Sequence, residues 1–186
     1  ATEINVHGKK LNISAKNDIY VNEVDAESGK TDIGTVASEN GNVTLTTAQN
    51  TVIDSLKAAN GNVTTTTAGS LEITDLTAES INAKAKTTIK AGITGDIIVK
   101  RLDAPESISL TVNGMLKADQ IAEDSVHVTT KKLDITAGQI AADEQPLKVK
   151  GTANEDGATE LELNASTKTG AFIQDNSDIL KLKHVE

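Results

Sequence analysis

Hydrophobic and polar residues alternate along this chain in short phrases that recur about every 20 residues. Gly-Asn-Val-Thr at 41–44 returns unchanged at 61–64, and Thr-Val-Ile-Asp-Ser-Leu at 51–56 is followed by Leu-Glu-Ile-Thr-Asp-Leu at 71–76. Within each phrase the apolar residues lie two positions apart, which is the period of a β-strand with one buried face. Since one such unit cannot bury its own apolar face, the repeat predicts a β-solenoid.

The apolar positions define a coil that contains two strand phrases. We align the coils on their first apolar residue, which is Leu11, Val43, Val63 or Ile108. This alignment stacks Val63 on Val43 and Ile73 on Ile53. It also puts Thr65 in the interior where the preceding coil has Leu45, so the Thr65 hydroxyl needs a partner or a water molecule there. Parallel strands joined by crossovers favour a right-handed winding. We therefore predict an all-β fold, a right-handed parallel β-helix with single-stranded coils of about 20 residues.

The whole chain, residues 1–186, is predicted to form a single β-helix domain. Regular coils cover 11–142, and uneven spacing between them indicates insertions near 29–40 and 92–106. We interpret the first insertion as an extra strand pair that projects from the stack. Residues 143–186 form less regular coils.

Two local features are predicted in the less regular part. Leu-Lys-Val at 147–149 and Leu-Glu-Leu at 161–163 form a hairpin around Asn-Glu-Asp-Gly at 154–157. Residues 139–144 are the one stretch that is compatible with a helix, and it is short. Leu, Leu and Val at 180–185 close the chain with the spacing of the second strand phrase.

Composition restricts the possible partners. Asp and Glu number 27 against 18 Lys and Arg, a formal net charge of −9, so the chain has no clustered cations for nucleic acid or for an anionic membrane surface. No apolar run reaches the roughly 20 residues that a membrane-spanning helix needs, so we expect no membrane insertion. Aromatic residues are 1% and Cys is absent, which suits a thin aliphatic interior and an exported protein. The chain begins at Ala1 in strand-like alternation, and we expect a processed or internal segment of a longer rod.

The repeated phrases resemble those of a known family. Gly-Asn-Val-Thr-Leu-Thr at 41–46 and Gly-Ser-Leu-Glu-Ile-Thr at 69–74 resemble the shaft repeats of filamentous-haemagglutinin-type exoproteins, bacterial surface adhesins exported by two-partner secretion. Gln-Pro-Leu-Lys-Val-Lys-Gly at 145–151, with Leu-Glu-Leu-Asn at 161–164, is similar to a segment of leukotoxin-type filamentous adhesins of that group. The resemblance covers most of 11–186. It implies a right-handed β-helix shaft that is secreted to the bacterial cell surface and acts in adhesion, with a receptor or glycan on a host or neighbouring cell and the rest of the parent exoprotein as partners.

Histidines and one acidic loop are the first candidates for chemistry. His7, His127 and His184 share no coil position, so we expect solvated or edge histidines rather than a cluster. The loop 151–159 contains Asn-Glu-Asp-Gly at 154–157 and lacks the spaced oxygen ligands of a calcium loop. Motifs for nucleophilic or zinc-dependent hydrolysis are absent from the sequence. We predict no catalytic, cofactor-binding or metal site, and no cofactor.

Acidic residues on one face of a solenoid are the remaining candidates for an enzyme. Asp54, Asp75 and Asp96 are candidates for the carboxyl groups with which solenoid enzymes cleave polysaccharides. Asp54 and Asp75, however, occupy different coil positions. Sugar-binding clefts also favour aromatic platforms, which this chain almost lacks. Outward Thr-x-Thr pairs at 44–46 and 64–66 suit an ice-binding face, but the next coil ends the rows.

These observations favour a non-enzymatic structural and adhesive segment of a large bacterial cell-surface exoprotein. The alternative is a carbohydrate-binding or carbohydrate-cleaving β-helix. A self-associating matrix or filament protein is a third interpretation, since strand edges at the ends of a solenoid invite pairing.

Overall fold

The computed structural model describes residues 3–4, 10–23 and 29–185, and every regular element in that part of the chain is a β-strand. The strands belong to one 17-stranded hydrogen-bonded sheet. In chain order they are β1 (Glu3–Ile4), β2 (Leu11–Ala15), β3 (Ile19–Asn22), β4 (Lys30–Ser38), β5 (Val43–Thr47), β6 (Asn50–Thr67), β7 (Leu71–Ala85), β8 (Thr88–Ile93), β9 (Ile97–Asp103), β10 (Ser107–Ala118), β11 (Val128–Thr129), β12 (Lys132–Ile140), β13 (Leu147–Lys150), β14 (Thr152–Ala153), β15 (Thr159–Thr167), β16 (Ile173–Asp175) and β17 (Ile179–Val185).

The sheet winds into a parallel β-solenoid of about 8 turns with successive turns about 20 residues apart, which confirms the predicted fold class. The first column of stacked strands contains β2, β4, β6, β7, β8, β10, β12, β15 and β17. The second column contains β1, β3, β5, the later parts of β6 and β7, then β9, the end of β10, β11, β13 and β16. Strands β6 and β7, of 18 and 15 residues, contribute to both columns because each continues around a corner.

Side chains at equivalent positions stack to form the core. Ile53 lies in register with Ile73, and Val43 with Val63, as predicted, and all four are at most 1% exposed. Alternate residues point into the stack because successive side chains of a strand face opposite sides. Burying each aliphatic side chain contributes roughly 1.5–3 kcal/mol, so the ladder of such residues is the main source of stability.

Close approach between turns explains the repeated glycine of the first phrase. A Cβ atom added to Gly61 would lie 2.4 Å from the carbonyl oxygen of Gly41, which is backbone and cannot move aside. The neighbouring asparagines also stack, since the Asn42 Oδ1 accepts hydrogen bonds from the Asn62 backbone N–H at 2.9 Å and from its Nδ2 at 3.0 Å. The Gly-Asn pair therefore fixes the turn spacing at this corner.

Buried hydroxyl groups in the stack differ in how they are satisfied. Thr51 bonds to Thr47 at 2.5 Å and to Thr67 at 3.3 Å, and its hydroxyl donates to the Gln49 carbonyl oxygen at 3.1 Å. Thr65 is 3% exposed, and its Oγ1 has no hydrogen-bond partner among the described residues. The described residues therefore supply no partner for the Thr65 hydroxyl.

The predicted insertion at 29–40 is also wrong. Strand β4 pairs in parallel with β2 and β6, and Ile33 lies between Leu11 and Ile53 in the first column. The segment is a regular part of the stack and does not project from it. The prediction failed because every coil contains a strand phrase of this kind. The phrase at 29–40 is one of the regular phrases and not an addition to them.

The predicted insertion at 92–106 is wrong for a similar reason. Strand β9 lies between neighbouring turns, with Val99 in register with Ile81 on one side and with Ala118 on the other. The longer connections lie later in the chain, at 119–127 and in the excursion that contains β14.

The coils that begin at Leu11 and Ile108 are out of phase with the predicted alignment. Ile108 pairs with Ile89, which pairs with Leu71, so this residue belongs to the first column. Leu11 belongs to the first column as well, whereas Val43 belongs to the second. Both columns have the same two-residue alternation, so the apolar pattern alone fitted either one.

The hairpin prediction is correct for its turn and wrong for its strands. Thr152 and Ala153 pair antiparallel with Glu160 and Thr159, and the turn between them covers 154–158. Strand β13, however, pairs in parallel with β11 and β16, and β15 pairs in parallel with β12 and β17. Strand β17 stacks in the first column as its spacing predicted.

The stretch compatible with a helix is not helical. Residues 139–140 complete β12, and Ala142 and Gln145 then form an antiparallel bridge across a turn.

Replacing Thr65 by Val should stabilise the protein by about 1–2 kcal/mol, because the change removes a buried hydroxyl without a partner and keeps the side-chain shape. The measurement is the midpoint of urea unfolding followed by circular dichroism. Thr64→Val, on the outward side of the same strand, is the matched control and should change stability by less than about 0.5 kcal/mol. Equal shifts for the two variants would contradict the assignment of Thr65 to an unsatisfied interior site.

Candidate functional site

The stack is interrupted on one side next to the end of β10. Lys117 and Ala118 pair with Ile98 and Val99 of β9 on one edge. On the other edge the ladder with β12 reaches only Leu116, because β12 ends at its partner residue Ile140. Within the described residues no strand lies beside Lys117 and Ala118 on that edge.

The chain leaves the stack at Ala141, whose φ of 56° lies in the left-handed region that non-glycine residues seldom adopt. The Ala141 N–H still donates to the Leu116 carbonyl oxygen at 2.6 Å. The Gln145 Nε2 then donates to the Ala118 carbonyl oxygen at 2.8 Å. A side-chain amide thus takes the place of the strand that is missing there.

The interruption leaves a cavity of about 460 Å³, which we call the side groove. Its floor is aliphatic and includes Ile98, Met115 and Ala142, and its rim is polar and includes Asp119 and Gln120. The complete lining is Ile98, Met115, Lys117, Ala118, Asp119, Gln120, Ala141, Ala142 and Gln145. The groove therefore combines apolar surface with hydrogen-bonding groups, as ligand sites do.

One ion pair fixes the rim. The Lys117 Nζ lies 2.8 Å from Asp96 Oδ2, and the Met115 backbone N–H donates to Asp96 Oδ1 at 2.9 Å. The hydrogen bond from Lys117 and, after it, the one from Met115 hold the pKa of the Asp96 carboxyl below its ordinary value. Lys117 is thereby already paired with an acidic group.

Asp119 is the other charged residue that lines the side groove. It is half-buried, and within the described residues its carboxylate has no hydrogen-bond or ion-pair partner. The connection 119–127 also carries the exposed Glu123 and Asp124, but the Lys148 Nζ donates to the Glu123 carbonyl oxygen at 2.8 Å. The charge that the groove lining leaves unpaired is therefore that of Asp119.

His127 lies at the end of the loop 119–127 beside the side groove and is 1% exposed. Its Nε2 lies 2.8 Å from the Asp119 carbonyl oxygen, and its Nδ1 accepts the Lys148 backbone N–H at 3.0 Å. These partners assign the neutral tautomer with the proton on Nε2. The expectation of a solvated or edge histidine is wrong for His127, because the loop 119–127 folds over its side chain.

The other sequence candidates have partners or places of their own. His184 lies exposed on β17, and His7 lies outside the described residues. Asp54 forms an ion pair of 2.5 Å with Lys10. Asp75 lies in register with Ser55 and accepts a hydrogen bond of 2.8 Å from the Thr94 hydroxyl.

The acidic loop around 154–157 is a closed turn. Its Asn154 Oδ1 accepts the backbone N–H groups of Asp156 at 3.0 Å and Ala158 at 3.1 Å. No group of three or more His, Cys, Asp or Glu side chains that could hold a metal ion occurs in the described part of the chain. The outward threonine rows stack as predicted and are followed in register by Asn82 and Lys84.

Comparison of the chain with protein-family models, with curated proteins and with solved structures finds no match. Among the described residues, no helix has the length and apolar character needed to cross a membrane. The function is therefore argued from the sequence and the geometry. The side groove was not predicted from the sequence, in which regular coils were assigned through residue 142.

His127→Ala should destabilise the protein by about 1–3 kcal/mol, because the Lys148 N–H loses its acceptor and the Asp119 carbonyl loses its donor. Amide hydrogen exchange at Lys148 should accelerate together with exchange in the loop 119–127. His184→Ala, which alters an exposed histidine on β17, is the control. If exchange at Lys148 is unchanged in His127→Ala, His127 does not fasten the loop.

Asp96→Asn should flatten the dependence of stability on pH in acid. Since the folded-state pKa of Asp96 lies below the ordinary 3.8, its contribution is fully present above that value and is lost as pH falls through the folded pKa. The ion pair is largely exposed, so the difference amounts to at most about 1 kcal/mol. Urea unfolding at several values between about pH 2 and pH 6 measures it, with Asp75→Asn as the control. Parallel curves for the parent protein and Asp96→Asn would disprove the assignment.

Proposed function

We propose that this chain is a non-enzymatic shaft segment of a large bacterial cell-surface exoprotein and that it serves adhesion. The observation that carries the proposal is the continuous register of about 8 turns, in which aliphatic columns run through the stack. Each turn is fixed to the next by a parallel ladder of hydrogen bonds. The segment is therefore rigid along the stack and contains no hinge between separate domains. Such a body suits a spacer between a cell and a binding tip.

The exterior supports the same role. Ion pairs join neighbouring turns, as between Lys90 and Glu72 at 2.9 Å and between Lys181 and Glu160 at 2.5 Å. Exposed pairs of this kind add little stability individually. Together with a net charge of −9 they give a hydrated, acidic surface that disfavours non-specific association.

The face of β17 supports packing against the rest of the parent protein. Leu182 is 61% exposed and Val185 is 51% exposed. They lie in register with Leu163 and Ala165, which are 4% and 0% exposed. A further turn stacked on β17 would bury this apolar row in the manner of every preceding turn.

Secretion, surface location and a receptor or glycan on a host or neighbouring cell are parts of the same proposal. They rest on the resemblance of the 41–46 and 145–151 phrases to filamentous adhesins. The fold is compatible with that resemblance, because a β-solenoid is the architecture it implies.

The side groove is the one observation that favours the alternative, a carbohydrate-binding or carbohydrate-cleaving β-helix. Cleavage requires two carboxyl groups that flank the glycosidic bond. Asp119 is the one carboxylate in the groove lining, Asp96 lies behind it as the partner of Lys117, and the chain's aromatic residues Tyr20 and Phe172 do not line the groove. We therefore rank carbohydrate chemistry second.

A shaft predicts a defined increase in reach. Eight turns spaced by about 4.8 Å give roughly 40 Å, so one copy displayed between a membrane anchor and an epitope should raise the epitope by about that height. Electron microscopy of labelled epitopes measures the height and its spread, and a Gly/Ser linker of equal residue number is the control, which should give a broader distribution. A spread as wide as that of the linker would exclude a rigid shaft.

Adhesion is tested separately. Beads coated with the chain should bind bacterial or epithelial cells above beads coated with an acidic protein of similar size, while a panel of polysaccharides should remain uncleaved. Release of reducing ends that depends on Asp96 and Asp119 would overturn the non-enzymatic assignment.

A further inference from the structure

We propose that the side groove binds a peptide segment in which an aliphatic side chain lies next to lysine or arginine. The inference goes beyond the shaft function and does not depend on it. It rests on two properties of the groove, which are its aliphatic floor and its unpaired carboxylate.

The floor selects an aliphatic group. Ile98 and Met115 lie on the outside of the sheet, where most residues of this chain are polar, and Ala142 continues the apolar surface. Met115 is the single methionine of the chain, and its unbranched side chain adapts to different apolar partners. The volume of about 460 Å³ accommodates one or two side chains of a ligand. No aromatic ring lines the groove to stack on a sugar.

The charge selects a cation. Asp119 is half-buried beside the floor without a partner for its carboxylate in the described part of the chain. The cation on the rim, Lys117, is neutralised by Asp96 at 2.8 Å. A lysine or arginine of the ligand would therefore replace a missing partner rather than compete for an occupied one.

The groove receives side chains of the ligand rather than its backbone. The Leu116 carbonyl oxygen accepts the Ala141 N–H at 2.6 Å, and the Ala118 carbonyl oxygen accepts the Gln145 Nε2 at 2.8 Å, so these acceptors at the end of β10 are already occupied. Selectivity therefore comes from the aliphatic surface and the carboxylate.

The walls of the groove are fixed before a ligand arrives. The carbonyl oxygen of Ala118 is held by Gln145, and that of Asp119 by His127, each at 2.8 Å. A site that is already ordered loses less entropy on binding.

The test uses nuclear magnetic resonance titration of the whole chain with three acetylated, amidated pentapeptides, Lys-Leu-Lys-Leu-Lys, Glu-Leu-Glu-Leu-Glu and Lys-Gly-Lys-Gly-Lys. The first should shift amide signals of Ile98, Met115, Asp119 and Ala142. The other two should bind at least tenfold more weakly, since one lacks the cation and the other the aliphatic group. Binding should weaken as salt is raised.

Variants locate the site. Asp119→Asn should raise the dissociation constant of Lys-Leu-Lys-Leu-Lys about tenfold, because a charge-assisted hydrogen bond is lost. Glu72→Gln removes an equal charge on the first column, away from the groove, and should change it less than twofold. Ala142→Trp, at an exposed position, should abolish binding by filling the groove, and circular dichroism verifies that each variant is folded.

Three results would overturn the proposal. They are equal affinities for Asp119→Asn and Glu72→Gln, equal affinities for the two lysine peptides, and signal shifts confined to β17 or to other surfaces. None of these results bears on reach or adhesion, so the shaft proposal stands or falls by its own measurements.

Discussion

The parallel ladder between successive turns is the interaction on which the rest of this structure depends. Because side chains alternate with a period of two, a slip of one residue between turns would expose Ile53 and Val63 and bury their polar neighbours. Register is therefore held by the aliphatic columns and by the backbone hydrogen bonds together. Connections outside the columns are free to vary, and the chain varies them at 119–127 and around β14.

The sequence was sufficient to predict the fold class because alternation and period both specify a stack. It identified the pairing of Val43 with Val63 and of Ile53 with Ile73 correctly. It could not assign Leu11 and Ile108 to a column, because two strand phrases with the same alternation satisfy the same pattern. The two false insertions follow from that ambiguity. When a first-column strand and a second-column strand are aligned as equivalent starting points, the distance between them includes part of an extra turn, and a regular coil then looks too long.

The side groove was beyond sequence reasoning for a different reason. It exists because Ala141 adopts a left-handed backbone and leaves the stack, and alanine carries no signal for that conformation. His127 likewise looked like an outward residue beside the apolar Val128, and only the fold of the preceding loop buries it. Site geometry of this kind depends on contacts between segments that are distant in the chain.

The departure of β12 at Ile140 also has a consequence for how the stack opens. At this level the turns remain joined by the ladders of β10 with β12, of β9 with β11 and of β11 with β13, while the third side is joined by single hydrogen bonds, among them those of the Ala141 N–H and of the Gln145 and His127 side chains. In a nearly one-dimensional protein, cooperativity passes only through such neighbouring contacts. This level is therefore the boundary at which partial unfolding should divide the molecule into two cooperative blocks.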